Sequence, residues 1–260
     1  KLNQRILELP CVDNIYVHPN MTDGGLATGA ALYAYHNHLI RCGNPCEPSY
    51  LNTVYLGPAY NNRKIEAALR KLNVKYEKVK CTEDYVARAL HSKKIVAHFF
   101  GRMEYGPRAL GNRSILASPV DRNVNRMLNE RLGRTEFMPF APSILEDYAD
   151  SCLAGWRYDH FASRFMTVTY NVTDYLVRLA PAVVHVDRTV RPHIVRRDDN
   201  PRFYSIIRRY FQLSAVPLVI NTSFNMHGEP IVCTPEDAVR AYTRGAVDAM
   251  AIGDYWVDGE

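Results

Sequence analysis

The chain has 260 residues, 47% apolar and 23% charged, with a formal net charge of +5. That length buries a substantial core in one large domain or two small ones, and the composition excludes wholesale disorder. No apolar run approaches the ~20 residues of a membrane-spanning helix, and so mild a basic excess suits acidic small molecules as well as nucleic acid.

The chain opens on Lys1 in KLNQRILELP, which reads as the middle of a domain and leads us to expect a fragment. A short strand is predicted over 14–19. A glycine turn then leads into an alanine-rich helix over 20–40, whose small residues Ala27, Gly29, Ala30 and Ala31 suit close packing on a sheet. The polar, proline-bearing stretch 41–50 reads as a loop and a domain junction. Beyond it, apolar Ile65, Ala68, Leu69 and Leu72 mark a helix over 61–72, and 74–79 alternates as a half-buried strand. A helix over 82–92, with Thr82 as its N-cap, precedes the apolar run 95-IVAHFF-100, a central strand. This alternation argues for an α/β or α+β domain with a mixed sheet.

In the second half, 121–133 reads as a helix, 139–144 as a proline-interrupted extended segment and 164–172 as a strand. The basic stretch 185–204 looks mostly extended. A helix over 201–213 leads to the apolar strand 216–221, and the turn 222–231 follows. The helix over 234–245 carries explicit signals: Thr234 as N-cap, Pro235 in the first turn, Asp237 completing a capping box and Gly245 at its end. A single strand over 248–257 closes the chain.

Cysteines are spread widely, only Cys42 and Cys46 lying close together, and nothing beside them completes a four-ligand zinc pattern. With no basic-then-apolar leader in view, a cytoplasmic protein with reduced thiols is the expectation.

Three constellations could carry chemistry. The first, 101-GRMEYGPRALGNRSILASP-119, sets Arg102, Arg108 and Arg113 among glycines at a strand end. Backbone amides approach an anion closely at glycine, and guanidinium groups grip phosphate or carboxylate oxygens in pairs, with Ser114 beside them. The same arginines could instead bridge carboxylates elsewhere in the fold. The second, 220-INTSFNMHGEP-230, gathers Asn221, Thr222, Ser223 and Asn225 at the edge of an apolar strand, where open α/β sheets bind ligands. It could also be a turn capping its own backbone. The third is Asp23 before two glycines, a candidate metal ligand or a helix cap.

The order of these motifs, with 137-FMPFAPSIL-145 and 191-RP-192 between them, resembles the C-terminal domain of the O-carbamoyltransferases, the family of the nodulation-factor and antibiotic-tailoring enzymes. The resemblance implies a YrdC/Sua5-like α/β fold over 46–260. It also implies that 1–45 is the tail of a Kae1-like domain of the actin and sugar kinase superfamily, whose N-terminal part is a missing partner. The implied chemistry turns carbamoyl phosphate and ATP into carbamoyl adenylate and pyrophosphate, the carbamoyl group then passing to a hydroxyl acceptor in the Kae1-like domain. By the same resemblance Arg108, Arg113 and Arg191 are catalytic phosphate ligands. Arg102, Ser114 and Arg134 add to that set, and Asn221, Ser223 and Asn225 line the nucleotide or carbamoyl side. Asp23 matches a ligand position for a divalent metal, Fe or Mg, in the complete enzyme. Gly133 and Met138 stand where many relatives carry a basic residue, which puts the ligands of that segment in question. A module of the same fold that binds RNA or regulates without catalysis is the alternative. Clustering of arginines within 102–113 favours a small-molecule pocket over a nucleic-acid track; no membrane partner is expected, and homodimerisation stays open.

Overall fold

A computed structural model of the chain describes residues 1–47, 51–133 and 139–258. Its strands are β1 (Glu77–Lys78), β2 (Val96–Phe99), β3 (Arg113–Ala117), β4 (Ala141–Leu145), β5 (Tyr170–Asn171), β6 (Thr189–Val190), β7 (His193–Val195), β8 (Leu218–Ser223), β9 (Ala249–Ile252) and β10 (Tyr255–Asp258). Its α-helices are α1 (Leu2–Leu7), α2 (Asp23–Arg41), α3 (Asn62–Lys71), α4 (Thr82–His91), α5 (Asn123–Arg131), α6 (Ala149–Cys152), α7 (Asp174–Leu179), α8 (Pro201–Ser214) and α9 (Pro235–Thr243). Eight strands form one mixed sheet in the order β1-β10-β9-β2-β3-β8-β4-β7, with β2–β9 and β4–β7 parallel and the other pairs antiparallel. The mixed α/β architecture expected from the sequence is the one observed.

Register decides which residues share a face, because directly paired residues project to the same side of a sheet. His98 pairs with Ser114, Ser114 with Ser223, Ala141 with Asn221, and Ser143 with His193. These polar residues therefore occupy one face, and α8 covers it: the Phe203 ring stacks on both His98 and His193. Phe99 and its partner Arg113 occupy the other face.

Local chemistry accounts for the helix starts. Thr234 accepts from the Asp237 N–H at 3.2 Å and the Asp237 carboxylate accepts from the Thr234 N–H at 2.9 Å, completing the capping box on α9. At α8, Asn200 accepts from the Phe203 N–H at 3.1 Å with Pro201 in the first turn. Thr82 is not a cap: Cys81 precedes α4 without a side-chain cap bond, and buried Thr82 instead accepts from Arg202.

Several expected elements differ. Residues 14–18 form no strand, and 164–172 supplies only β5 after a short 3-10 turn at Phe161–Phe165. The closing strand is a hairpin, β9 turning into β10 at Gly253, whose φ of 58° suits glycine. The helix α2 does not pack closely on a sheet: none of its residues is buried. The N-terminal turn of the chain does dock on the main body, with the Asn3 amide donating to the Thr167 carbonyl at 2.7 Å and Thr169 donating to Gln4 at 2.8 Å. Among the described residues no helix is long and apolar enough to cross a membrane, and the six cysteines are free.

Candidate active site

The loop between β2 and β3 carries Arg108, and its shape is set by a buried carboxylate. Glu104 Oε1 accepts from the backbone N–H groups of Leu110 at 2.7 Å, Asn112 at 2.8 Å and Arg113 at 3.3 Å. Burial pushes this carboxyl upward, while the amides and the Arg113 charge pull it back. Glycine is required at Gly111, where φ is 113° and an added Cβ would lie 2.5 Å from the Phe203 ring. On its other side the loop is pinned by the Tyr55 hydroxyl, which donates to the Leu110 carbonyl at 2.8 Å, and by Asn200, which donates to Asn112 Oδ1 at 2.9 Å.

So held, Arg108 enters a pocket of about 280 Å³. Arg191 enters the same pocket from the connection between β6 and β7, and Asn221, Ser223 and Asn225 enter from the end of β8 and the turn after it. Among the described residues no carboxylate lines it. Neither Arg108 nor Arg191 has a hydrogen bond or ion pair to another described residue, and both Nε atoms are buried without a partner. Burial pushes Arg108 below the usual guanidinium range. Burial first, and then the charge of Arg108, push Arg191 down to about 10. Two amide oxygens in the same lining, Asn221 Oδ1 and Asn225 Oδ1, are also buried without partners. Such a set suits a ligand with anionic oxygens on one side and hydrogen-bond donors on the other.

Other sequence candidates lie elsewhere. Arg113 is 0% exposed. Its guanidinium donates to the carbonyls of Phe100 and Asn112, both at 2.9 Å, and lies over the Phe99 ring at 3.6 Å, on the face of the sheet opposite Asn221. Arg113 therefore holds the fold together at this strand and does not reach the pocket. Ser114 accepts from the Gly111 N–H at 2.9 Å and is buried. Arg102 donates to the carbonyls of Leu56 and Gly57 at 2.7 and 3.1 Å, clamping the preceding segment. Backbone carbonyls have taken the donors of Arg102 and Arg113, and a backbone amide occupies buried Ser114, so none of the three lines the pocket. Arg134 and Met138 lie outside the described residues.

Asp23 is exposed at the first position of α2, away from the pocket lining, and no side-chain cap bond forms at that end. Among the described residues no group of three or more His, Cys, Asp or Glu side chains could hold a metal ion. The residues present thus do not fit a metal site, and no step below runs through one.

Sequence reasoning missed Glu104, Ser143 and His193. The available signals were a lone acid among three arginines on a glycine-rich turn, and single polar residues inside the otherwise apolar strands β4 and β7.

Comparison with known proteins bears on the pocket. Residues 87–258 match the model of the family described as Carbamoyltransferase C-terminus. The chain belongs to this family. Nearly the whole chain also aligns with longer relatives: 37% identity with an uncharacterised protein of Methanocaldococcus jannaschii (99% of this chain, 48% of that one), 32% with nodulation protein NolO of Bradyrhizobium diazoefficiens (98% and 46%), and 33% with nodulation protein U of Rhizobium tropici (100% and 41%). The chain thus spans less than half the length of these curated relatives. Among solved structures, full-length HypF in its phosphate- and nucleotide-bound form is similar over 72% of this chain and 22% of that one, at 17% identity and a TM-score of 0.46. A Sua5 variant of P. abyssi is similar over 66% and 45%, at 15% identity and a TM-score of 0.43. The family match contains β2 to β10, and with them Arg108, Arg191, Asn221 and the Glu104 loop.

Proposed function

We propose that this chain is the carbamoyl-activating part of an ATP-dependent O-carbamoyltransferase. Carbamoyl phosphate, water and ATP give carbamoyl adenylate, phosphate and pyrophosphate in its pocket. A carbamate oxygen attacks the α-phosphorus of ATP and pyrophosphate leaves. The carbamoyl group then passes to a hydroxyl acceptor on a Kae1-like domain, of which residues 1–45 are the tail and to which 46–260 are joined. The observation that carries this reading is the pair Arg108 and Arg191, two half-buried cations with no carboxylate partner among the described residues, in a chain of this family.

Their task is electrostatic. Guanidinium groups fixed by the fold stabilise charge on phosphoryl oxygens and on the departing pyrophosphate without having to reorganise as it develops. Ser223 and Asn225 line the same pocket and suit the neutral polar groups of the substrates. No protein nucleophile is needed, since the carbamate oxygen is itself the attacking group.

The test is exchange of labelled pyrophosphate into ATP, with and without carbamoyl phosphate. Exchange that requires carbamoyl phosphate and is lost in Arg108→Ala supports adenylate formation. Exchange that ignores carbamoyl phosphate contradicts it.

A further inference from the structure

The carboxamide of Asn221 has a fixed orientation. Its Nδ2 donates to the Ala109 carbonyl oxygen at 3.1 Å and to the Ser143 hydroxyl at 2.9 Å. A carbonyl oxygen can only accept, so the atom facing Ala109 is the nitrogen. Both amide hydrogens are thereby engaged, and Oδ1 is left without a partner. Asn221 is 1% exposed and lines the pocket with Arg108 and Arg191. A buried acceptor left unmade costs free energy, which a bound donor recovers.

The orientation is enforced from behind. Ser143 Oγ lies 3.0 Å from His193 Nδ1. The serine oxygen accepts from Asn221 and can donate its own proton at the same time, and with His193 in its Nε2–H tautomer that proton goes to the bare Nδ1. Burial, and after it the charge of Arg164, keep that imidazole neutral by pushing it down to about 3, as this direction of donation requires. The His193 ring is itself held by stacking on Phe203, with centroids 5.9 Å apart.

We infer that Asn221 Oδ1 accepts an N–H of the carbamoyl amino group, and that Ser143 and His193 are positioning residues that keep this oxygen turned to the ligand. This inference rests on the anion-site reading above. Asn221 is bonded to Ala109, the residue after Arg108, so the acceptor and the cation are set by neighbouring positions of one rigid loop. In carbamoyl phosphate only a carbon and an oxygen separate the amino nitrogen from phosphorus, so both ends fit within the one pocket of about 280 Å³. The adenine amino group of ATP is a whole ribose away from its phosphates. Acetyl phosphate puts a methyl group where carbamoyl phosphate has its amino group, and that methyl leaves Oδ1 unpaired. The role of the chain His193–Ser143–Asn221 is therefore to select carbamoyl phosphate over acetyl phosphate.

The test is calorimetric titration of the chain with inorganic phosphate, carbamoyl phosphate and acetyl phosphate, for the wild type, Asn221→Ala and Ser143→Ala. The wild type prefers carbamoyl over acetyl phosphate by about tenfold or more, since a site built around a hydrogen bond rejects the analogue lacking it. Asn221→Ala brings that ratio to about one while inorganic phosphate affinity stays within about threefold, because only the amino contact is lost. Ser143→Ala keeps the carboxamide but frees it to turn, and loses part of the preference. Should Asn221→Ala fail to fold, Ser143→Ala decides: an unaltered ratio overturns the inference. Phosphates that bind the wild type without preference overturn this inference alone. A folded wild type that binds none of the three overturns the anion-site reading and this inference with it.

Discussion

Arg108 and Arg191 share one pocket, and the charge of Arg108 adds to burial in holding the Arg191 guanidinium down at about 10. A folded protein gains nothing from two unpaired cations facing each other. Both gain when a phosphate enters between them. Removing either arginine should therefore leave the ligand-free protein no less stable, and can raise its melting temperature by about 2–4 °C for each 1 kcal/mol of repulsion relieved. Thermal melts of Arg108→Ala and Arg191→Ala check this, and phosphate should raise the melting temperature of the wild type alone. A large drop in ligand-free stability would assign the pair a structural role.

Glu104 is predicted to be the keystone of the arginine loop. In Glu104→Gln one oxygen still accepts from the loop, but the amide nitrogen takes the buried, partnerless place of Oε2, and the charge beside Arg113 is gone. The expected cost is about 1–3 kcal/mol in urea unfolding, the range for leaving buried polar groups unsatisfied. Phosphate affinity should fall as well, because the loop that presents Arg108 loosens.

Gly111→Ala should be more severe. The left-handed backbone and the 2.5 Å approach to Phe203 act together, and about 3 kcal/mol or more is expected from strain combined with overpacking. A urea midpoint close to that of the wild type would contradict this.

How much of this was legible beforehand differs from element to element. The α9 helix was readable because its cap, proline and final glycine act within one or two turns. The strands β2 and β8 were readable as short apolar runs. Arg102, Arg108 and Arg113 looked equivalent because composition cannot show the register that turns Arg113 toward Phe99, nor the carbonyls that occupy Arg102. Arg191 and Arg108 lie far apart in sequence and meet only through the strand order. The hairpin of β9 and β10 was missed because one glycine within an apolar run gives little signal, and the exposure of α2 because alanine-rich composition does not reveal what covers a helix.

Stability should also depend on pH through buried histidines. Burial pushes His98 down to about 4 and His193 to about 3, from an ordinary value of 6.5. The unfolded chain then binds more protons than the folded one between those values, so stability is fully present above about pH 6.5 and is lost as the pH falls toward 4 and 3. Each histidine contributes up to about 1.4 kcal/mol per pH unit within its window. Urea midpoints between pH 7.5 and 5 measure the slope, and a folded His193→Gln variant should reduce it by about one proton. A slope unchanged by that substitution would contradict the neutral state of His193.

The most direct test of the account is calorimetric titration of the chain with carbamoyl phosphate, comparing the wild type with Arg108→Ala and Arg191→Ala and with Arg113→Lys as a control outside the pocket. Saturable binding to the wild type and to folded Arg113→Lys is expected, with a loss of about tenfold or more in each pocket variant, the order expected when a charge-assisted contact is removed. Affinity unchanged in both pocket variants would show that the anion binds elsewhere.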